Sequence, residues 1–120
     1  MENSQKIQIV SCSGASNTGE FADKVARKLD ESGEANMVCL AKVAVGDQSL
    51  INKLKTQQDK KIVVLDGCAI NCAMKILGKE NITITNIIHV NTTDFGIIKG
   101  KTPVTDEKIN EIVEYIKKIA

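Results

Sequence analysis

The feature that most constrains this chain is the repeated alternation of short, β-branched apolar runs with longer amphipathic stretches. Short apolar runs indicate strands, whereas apolar residues spaced three and four apart indicate helices. The predicted strands are residues 6–12, 36–41, 61–66 and 84–90, of which KIVVLD at 61–66 is the clearest. Strands that alternate with helices predict right-handed βαβ units and a parallel sheet.

The amphipathic stretches predict helices between and after these strands. The first has apolar residues from Phe21 to Leu29 on one face and ends at Gly33. The others are residues 49–55, residues 69–77 with Gly78 as the stop, and a last helix after the N-cap Thr105, with Lys117 and Lys118 in its final turn. Residues 91–102 lose the pattern and are predicted to form a loop ordered by Ile97 and Ile98. The fold class is therefore α/β: a single three-layer α/β/α domain over residues 1–120, with a four-stranded parallel sheet in the order 2-1-3-4.

Composition narrows the functional classes. The 120 residues carry a net charge of +1 and contain two Phe, one Tyr and no Trp, so neither charge nor stacking surface favours nucleic acid as a partner. The N-terminus does not resemble a signal peptide, and no apolar run approaches the roughly 18 residues that span a bilayer, so no membrane association is expected. We expect a cytoplasmic protein, in which the four cysteines are thiols or metal ligands rather than disulfides.

The cysteines follow successive strands of the predicted sheet. Cys12 ends the first strand, Cys39 lies at the end of the second, and Cys68 and Cys72 follow the third. The carboxyl ends of parallel strands share one edge, where open α/β sheets bind ligands. We therefore expect the four thiols to form one cluster at this edge.

Such a cluster suits a metal ion, and zinc is the first candidate. Cys68 and Cys72 are four residues apart at a predicted helix start, which would place both sulfurs on one helical face. Four thiolates complete a tetrahedral zinc site, and Lys42 and Lys75 would offset its negative charge. An iron–sulfur cluster uses the same ligands, and the alternative without a metal is that the cysteines are buried as small apolar side chains.

The segment from Cys12 to Gly19 is built from small residues and joins a strand to a helix. Its backbone N–H groups could hold a small anion, or it could be an ordinary turn with capping side chains. Phosphatases with a cysteine in such a loop need an arginine six residues later, and Thr18 occupies that position. A cysteine phosphocarrier does not need the arginine and remains an alternative.

Two further polar residues are candidates near this edge. His89, near the end of the fourth strand, could replace a cysteine as a ligand, but a lone strand histidine is more often packed and hydrogen-bonded. Asp66 could accept backbone N–H bonds in the following turn or support a cysteine.

Three motifs indicate a family: CSGASNTG from Cys12, CLAKVAVG from Cys39, and DGCAINCAMK from Asp66 to Lys75. Together they resemble the DGC-domain family over nearly the whole chain. The resemblance implies a zinc site formed by Cys12, Cys39, Cys68 and Cys72, and it implies no particular reaction.

The chain is therefore interpreted as a metal-binding protein in which binding, sensing or metal handling is favoured over catalysis. The alternative is a thiol-based redox enzyme or transferase, or a cysteine phosphocarrier, with Cys12 as nucleophile.

Overall fold

The fold is built on a parallel sheet. The computed structural model describes residues 7–12, 15–56, 61–67, 70–82 and 87–120. Its strands are β1 (Ile7–Ser11), β2 (Asn36–Val38), β3 (Lys61–Asp66) and β4 (Ile87–Asn91). They pair in parallel in the order β2-β1-β3-β4, which confirms the predicted sheet. Position 6 and positions 84–86 of the predicted strands lie outside the described residues.

The helices cover both faces of the sheet, giving three layers. They are α1 (Asn17–Glu31), α2 (Leu40–Ala44), α3 (Gln48–Thr56), α4 (Cys72–Lys79) and α5 (Asp106–Ile119), with a short 3-10 helix at Thr92–Phe95. The predicted N-cap is confirmed, because the Thr105 hydroxyl accepts the Lys108 N–H at 3.3 Å. None of the helices among the described residues is long and apolar enough to cross a membrane.

Alternation along the strands divides the apolar side chains between two cores. Ile9 and Leu65 point to the face covered by α1 and α5, where Phe21 and Ile112 pack. Residues one position along the same strands point to the opposite face, covered by α2, α3 and α4; this second core includes Val10, Val64, Val43, Leu54 and Leu77. Both faces of the central strands are therefore buried, as expected for a parallel sheet with helices on each side.

The second strand is shorter than predicted. It ends at Val38, and Leu40–Ala44 forms the helix α2 instead of continuing the strand to residue 41. Leu40 and Val43 both pack into the core under α2, and a spacing of three places two side chains on one face of a helix but on opposite faces of a strand. Cys39 therefore stands between a strand and a helix.

The helix predicted at residues 69–77 corresponds to α4, which starts and ends later in the sequence. Position 69 lies outside the described residues. Asn71 has a left-handed backbone with φ of 57°, and the right-handed helix α4 starts after it, at Cys72. The helix runs through Gly78 to Lys79, and Asn81, with φ of 58°, follows its end. The argument that Cys68 and Cys72 lie one turn apart on one helix therefore does not apply.

The segment after β4 is held by a side chain from α1. Ile97 is buried as predicted, whereas Ile98 is 58% exposed. The side-chain amide of Asn17 donates to the carbonyl oxygens of Ile98 and Thr102 at 3.1 and 2.8 Å. Its carbonyl oxygen accepts the Gly100 N–H at 2.6 Å. The order of this loop thus comes from polar contacts with the first residue of α1 as well as from one buried isoleucine.

Candidate functional site

Three of the four cysteines lie in the described residues, and all three are free thiols. Cys39 and Cys72 are exposed, and Cys12 is partly buried. Cys68 lies outside the described residues. The expectation of thiols rather than disulfides therefore holds for the three cysteines that can be assessed.

The strand register places Cys12 and Cys39 at the carboxyl edge of the sheet. Val10 of β1 pairs with Val38 of β2, so Cys39 follows β2 level with Ser11. The Cys12 N–H donates to the Leu65 carbonyl oxygen at 2.9 Å, which extends the β1–β3 pairing by one residue. Neighbouring strands are about 4.8 Å apart, so the backbones that carry these two thiols are close.

The side chains of the described cysteines are not brought together as a ligand set. Among the described residues, no group of three or more His, Cys, Asp and Glu side chains could hold a metal ion. Cys12 packs against the core under α1 and α5, whereas α4, which starts at Cys72, covers the opposite face. The four-cysteine cluster stays a prediction, because Cys68 is not part of the described structure.

Asp66 is the most constrained polar residue at this edge. It is the last residue of β3 and is fully buried. Its Oδ1 accepts the Ala73 N–H at 2.7 Å and its Oδ2 accepts the Met74 N–H at 3.2 Å. These amides belong to the first turn of α4, so Asp66 does accept backbone N–H bonds as predicted, and among the described residues they come from this helix. A buried carboxylate requires such partners.

His89 is the third partner of this carboxylate. Its Nε2 lies 2.7 Å from Asp66 Oδ2, and its side chain is 32% exposed. The predicted hydrogen bond of a strand histidine is therefore confirmed, whereas the expected packing is not, because His89 is an exposed residue of β4. Its pairing with Asp66 was missed, although both residues carry their side chains on the sheet face that α4 covers. Alternation along each strand was the available signal, but the β3–β4 register was not known.

Gly67, directly after Asp66, is in close contact with the start of α1. A Cβ at this position would lie 2.6 Å from the Thr18 carbonyl oxygen and 2.7 Å from the Gly19 nitrogen. The buried hydroxyl of Thr92 lies 3.3 Å from the Thr18 carbonyl oxygen and 3.4 Å from that of Gly67, and can donate its proton to either. The end of β3, the start of α1 and the 3-10 helix therefore meet at this edge.

The loop after Cys12 contains a helix cap. The Ser16 hydroxyl accepts the Gly19 N–H at 3.3 Å and lies 2.8 Å from the Thr18 hydroxyl. This is the capping arrangement that was one of the two predicted interpretations, and it occupies the Gly19 N–H. Residues 13–14 lie outside the described structure, and a small anion at this loop stays a prediction.

Cys39 borders an open groove of about 390 Å³ between the end of β2 and helix α1, with Ser11, Asp23, Arg27 and Asp30 in its lining. The Arg27 Nε donates to Asp23 Oδ2 at 2.8 Å, and this bond raises the pKa of the Arg27 guanidinium. Ser11 is 4% exposed, and its hydroxyl has no hydrogen-bond partner among the described residues. The lining of the groove thus combines acidic and basic side chains with a buried hydroxyl.

Two lysines lie close to exposed thiols, as the charge argument expected. Lys42 lines a cleft of about 220 Å³ together with Cys39. Lys75 follows Cys72 by three residues in α4, a spacing that makes two helical residues neighbours.

Comparison with known proteins identifies the family. The DGC domain matches residues 8–116, which is nearly the whole chain. The chain belongs to the DGC domain family. In this DGC domain, Asp66 accepts hydrogen bonds from the first turn of α4, and Gly67 permits the close contact with α1.

One curated relative of this DGC protein is the anaerobic and virulence modulator AnvM of Pseudomonas aeruginosa. The two are 31% identical over 91 residues, which cover 76% of this chain and 66% of AnvM. The match thus spans slightly less than two thirds of that relative's length. No solved structure matches this chain.

Proposed function

We propose that this DGC protein binds a transition-metal ion, zinc in the first instance, through cysteine thiolates at the carboxyl edge of its sheet. The observation that carries the proposal is the parallel order β2-β1-β3. Cys39 follows β2, Cys12 follows β1, and the segment after β3 leads to Cys72. The three described cysteines therefore follow strand ends at one edge of the sheet, which supports the proposal, and Cys68 lies between Asp66 and Cys72 in the sequence.

The chemistry of these residues fits zinc. Zinc takes four thiolates at about 2.3 Å in a tetrahedral arrangement, and a complete set of protein ligands is typical of structural sites. The described cysteines are free and two of them are exposed, so a metal ion can reach them. Lys42 and Lys75 lie near two of the thiols and would offset the charge of the thiolates.

A binding or sensing role is supported over catalysis. AnvM carries the name of a modulator, and we extend a regulatory role of that kind to this chain by analogy. Cys12, the candidate nucleophile of the enzymatic alternatives, is only partly exposed, and the Ser16 hydroxyl accepts the Gly19 N–H at the end of the loop that follows Cys12. These two observations favour metal binding over the phosphocarrier alternative.

Elemental analysis of protein purified without oxygen tests the proposal. We expect about one zinc per chain, as a closed tetrahedral site predicts. Cys12→Ser, Cys39→Ser, Cys68→Ser and Cys72→Ser should each lower the zinc content, whereas Ser49→Ala, at an exposed position on α3, should leave it unchanged. A zinc protein is colourless. A brown preparation that contains iron would instead show that the cysteines bind an iron–sulfur cluster.

The thiol-redox alternative gives a different result in the same preparation. Protein without metal that forms a reversible disulfide on exposure to an oxidant would support a redox enzyme and contradict the proposal. The thiols can be counted before and after oxidation, and the pair identified by peptide mass spectrometry. Cys39 and Cys72, the exposed thiols, are the first positions to examine.

A further inference from the structure

We infer that Asp66 and His89 are positioning residues for the thiol centre: together they fix the first turn of α4, and with it Cys72, against the end of β3. This inference rests on the proposed function, because it assigns the pair a role in holding one of the proposed ligands. Neither residue is assigned to the ligand set itself. Both act by holding the first turn of α4 in place.

The cap of α4 comes from the sheet rather than from the residue before the helix. Asn71 occupies the N-cap position, but its side chain makes no capping bond. The Ala73 and Met74 amides, which directly follow Cys72, are instead satisfied by Asp66. Because Asp66 is fully buried at the end of a central strand, its carboxylate has little freedom to move. The backbone next to Cys72 is therefore tied to β3.

His89 completes the hydrogen bonding of this carboxylate. A carboxylate only accepts hydrogen bonds, so the proton in the 2.7 Å contact belongs to His89 Nε2. Without the imidazole, the one remaining partner of Asp66 Oδ2 among the described residues would be the Met74 N–H, at the longer distance of 3.2 Å. A buried carboxylate oxygen that loses its closest donor is expected to shift or admit water, and the turn that it caps would loosen.

The geometry favours positioning over ligation. Asp66, His89 and Cys72 do not form a group that could hold a metal ion in the described part of the chain. His89 Nε2 is already used by Asp66. Residues that orient metal ligands without touching the metal commonly change metal affinity by about 10–100-fold when they are replaced.

Two substitutions of His89 test the inference. His89→Ala removes the donor, whereas His89→Gln keeps an N–H donor near the place of Nε2 but is a poor metal ligand. We expect His89→Ala to weaken zinc binding by about 10–100-fold and His89→Gln to restore most of the loss. Zinc affinity is measured by competition with a chromophoric chelator under anaerobic conditions. Ile116→Val, a buried change in α5 on the other face of the sheet, controls for general loss of stability.

Amide hydrogen exchange in zinc-free protein gives a second measurement that needs no metal. The Ala73 and Met74 amides should exchange faster in His89→Ala than in the unsubstituted protein, and His89→Gln should restore their protection. Equal zinc affinity in His89→Ala and unsubstituted protein would overturn the inference. An equal loss in His89→Gln and His89→Ala would also overturn it, because it would make His89 a ligand.

The two proposals fail in different ways. Absence of zinc binding in the unsubstituted protein would overturn the proposed function. In that case, the exchange rates of Ala73 and Met74 still decide whether the pair holds the helix that begins at Cys72. Unchanged exchange in His89→Ala would overturn the inference independently of any metal.

Discussion

Gly67 lies directly against the backbone of Thr18, so that a Cβ at position 67 would come within 2.6 Å of the Thr18 carbonyl oxygen. The contact joins the end of β3 to the first turn of α1. It lies where the sheet's strand order reverses between β1 and β3, the point at which open α/β sheets bind ligands. The neighbour is backbone held inside a helix, so it cannot turn aside as a flexible side chain would.

Gly67→Ala should therefore destabilise the protein. We expect a loss of about 1–3 kcal/mol in the free energy of unfolding, as for other overpacked sites. Gly78→Ala is the matched control, because a Cβ there meets no atom within 4 Å and the residue lies inside α4. Replacing that helical glycine should stabilise by about 0.5–1 kcal/mol. Urea unfolding of both variants checks the pair, and equal shifts in the same direction would contradict the packing argument.

Asn17 should control the order of the loop at residues 96–102. Asn17→Asp would place an oxygen where the amide now donates to the carbonyl oxygens of Ile98 and Thr102, so the loop should detach. Trypsin should then cleave after the exposed Lys99 and Lys101 faster than in the unsubstituted protein. Asn110→Asp, at an exposed position on α5, is the control. Equal cleavage rates in the two variants would show that Asn17 does not hold the loop.

The sheet could be predicted because its signals are local and repeated. KIVVLD forms β3 over the predicted residues, and the alternation of strands with helices gave the order β2-β1-β3-β4. The errors arose where short segments suit two structures. Residues 39–41 have apolar side chains that fit a strand, but Leu40 and Val43 share one helical face in α2.

The site was predicted less completely, because its contacts join residues that are distant in the sequence. Asp66 could be placed at the end of a strand, but its partners come from α4 and β4, and the β3–β4 register decides which side chain it meets. The start of α4 depends on the left-handed backbone of Asn71, which no periodicity in the sequence indicates. The positions of Cys12 and Cys39 followed from topology alone.

Replacing Ser11 should stabilise the protein, in contrast to Gly67→Ala. Its hydroxyl is buried without a partner in the described part of the chain, so Ser11→Ala should raise the free energy of unfolding by about 1 kcal/mol. Thr92→Val is the matched control, since it removes a buried hydroxyl that has acceptors, and it should lower the free energy of unfolding by about 1 kcal/mol. Chemical denaturation measures both. Destabilisation by Ser11→Ala would mean that the hydroxyl is used.

Thiol reactivity should separate the cysteines before zinc is added and protect them together afterwards. Alkylation requires an accessible thiolate, so Cys39 and Cys72, which are exposed, should react with iodoacetamide before the partly buried Cys12 in zinc-free protein. Zinc should slow all three reactions if the thiols share one ion, because coordination withdraws electron density from the sulfur and lowers its nucleophilicity. Peptide mass spectrometry over a time course measures each rate. Protection of Cys72 without protection of Cys39 would remove Cys39 from the ligand set.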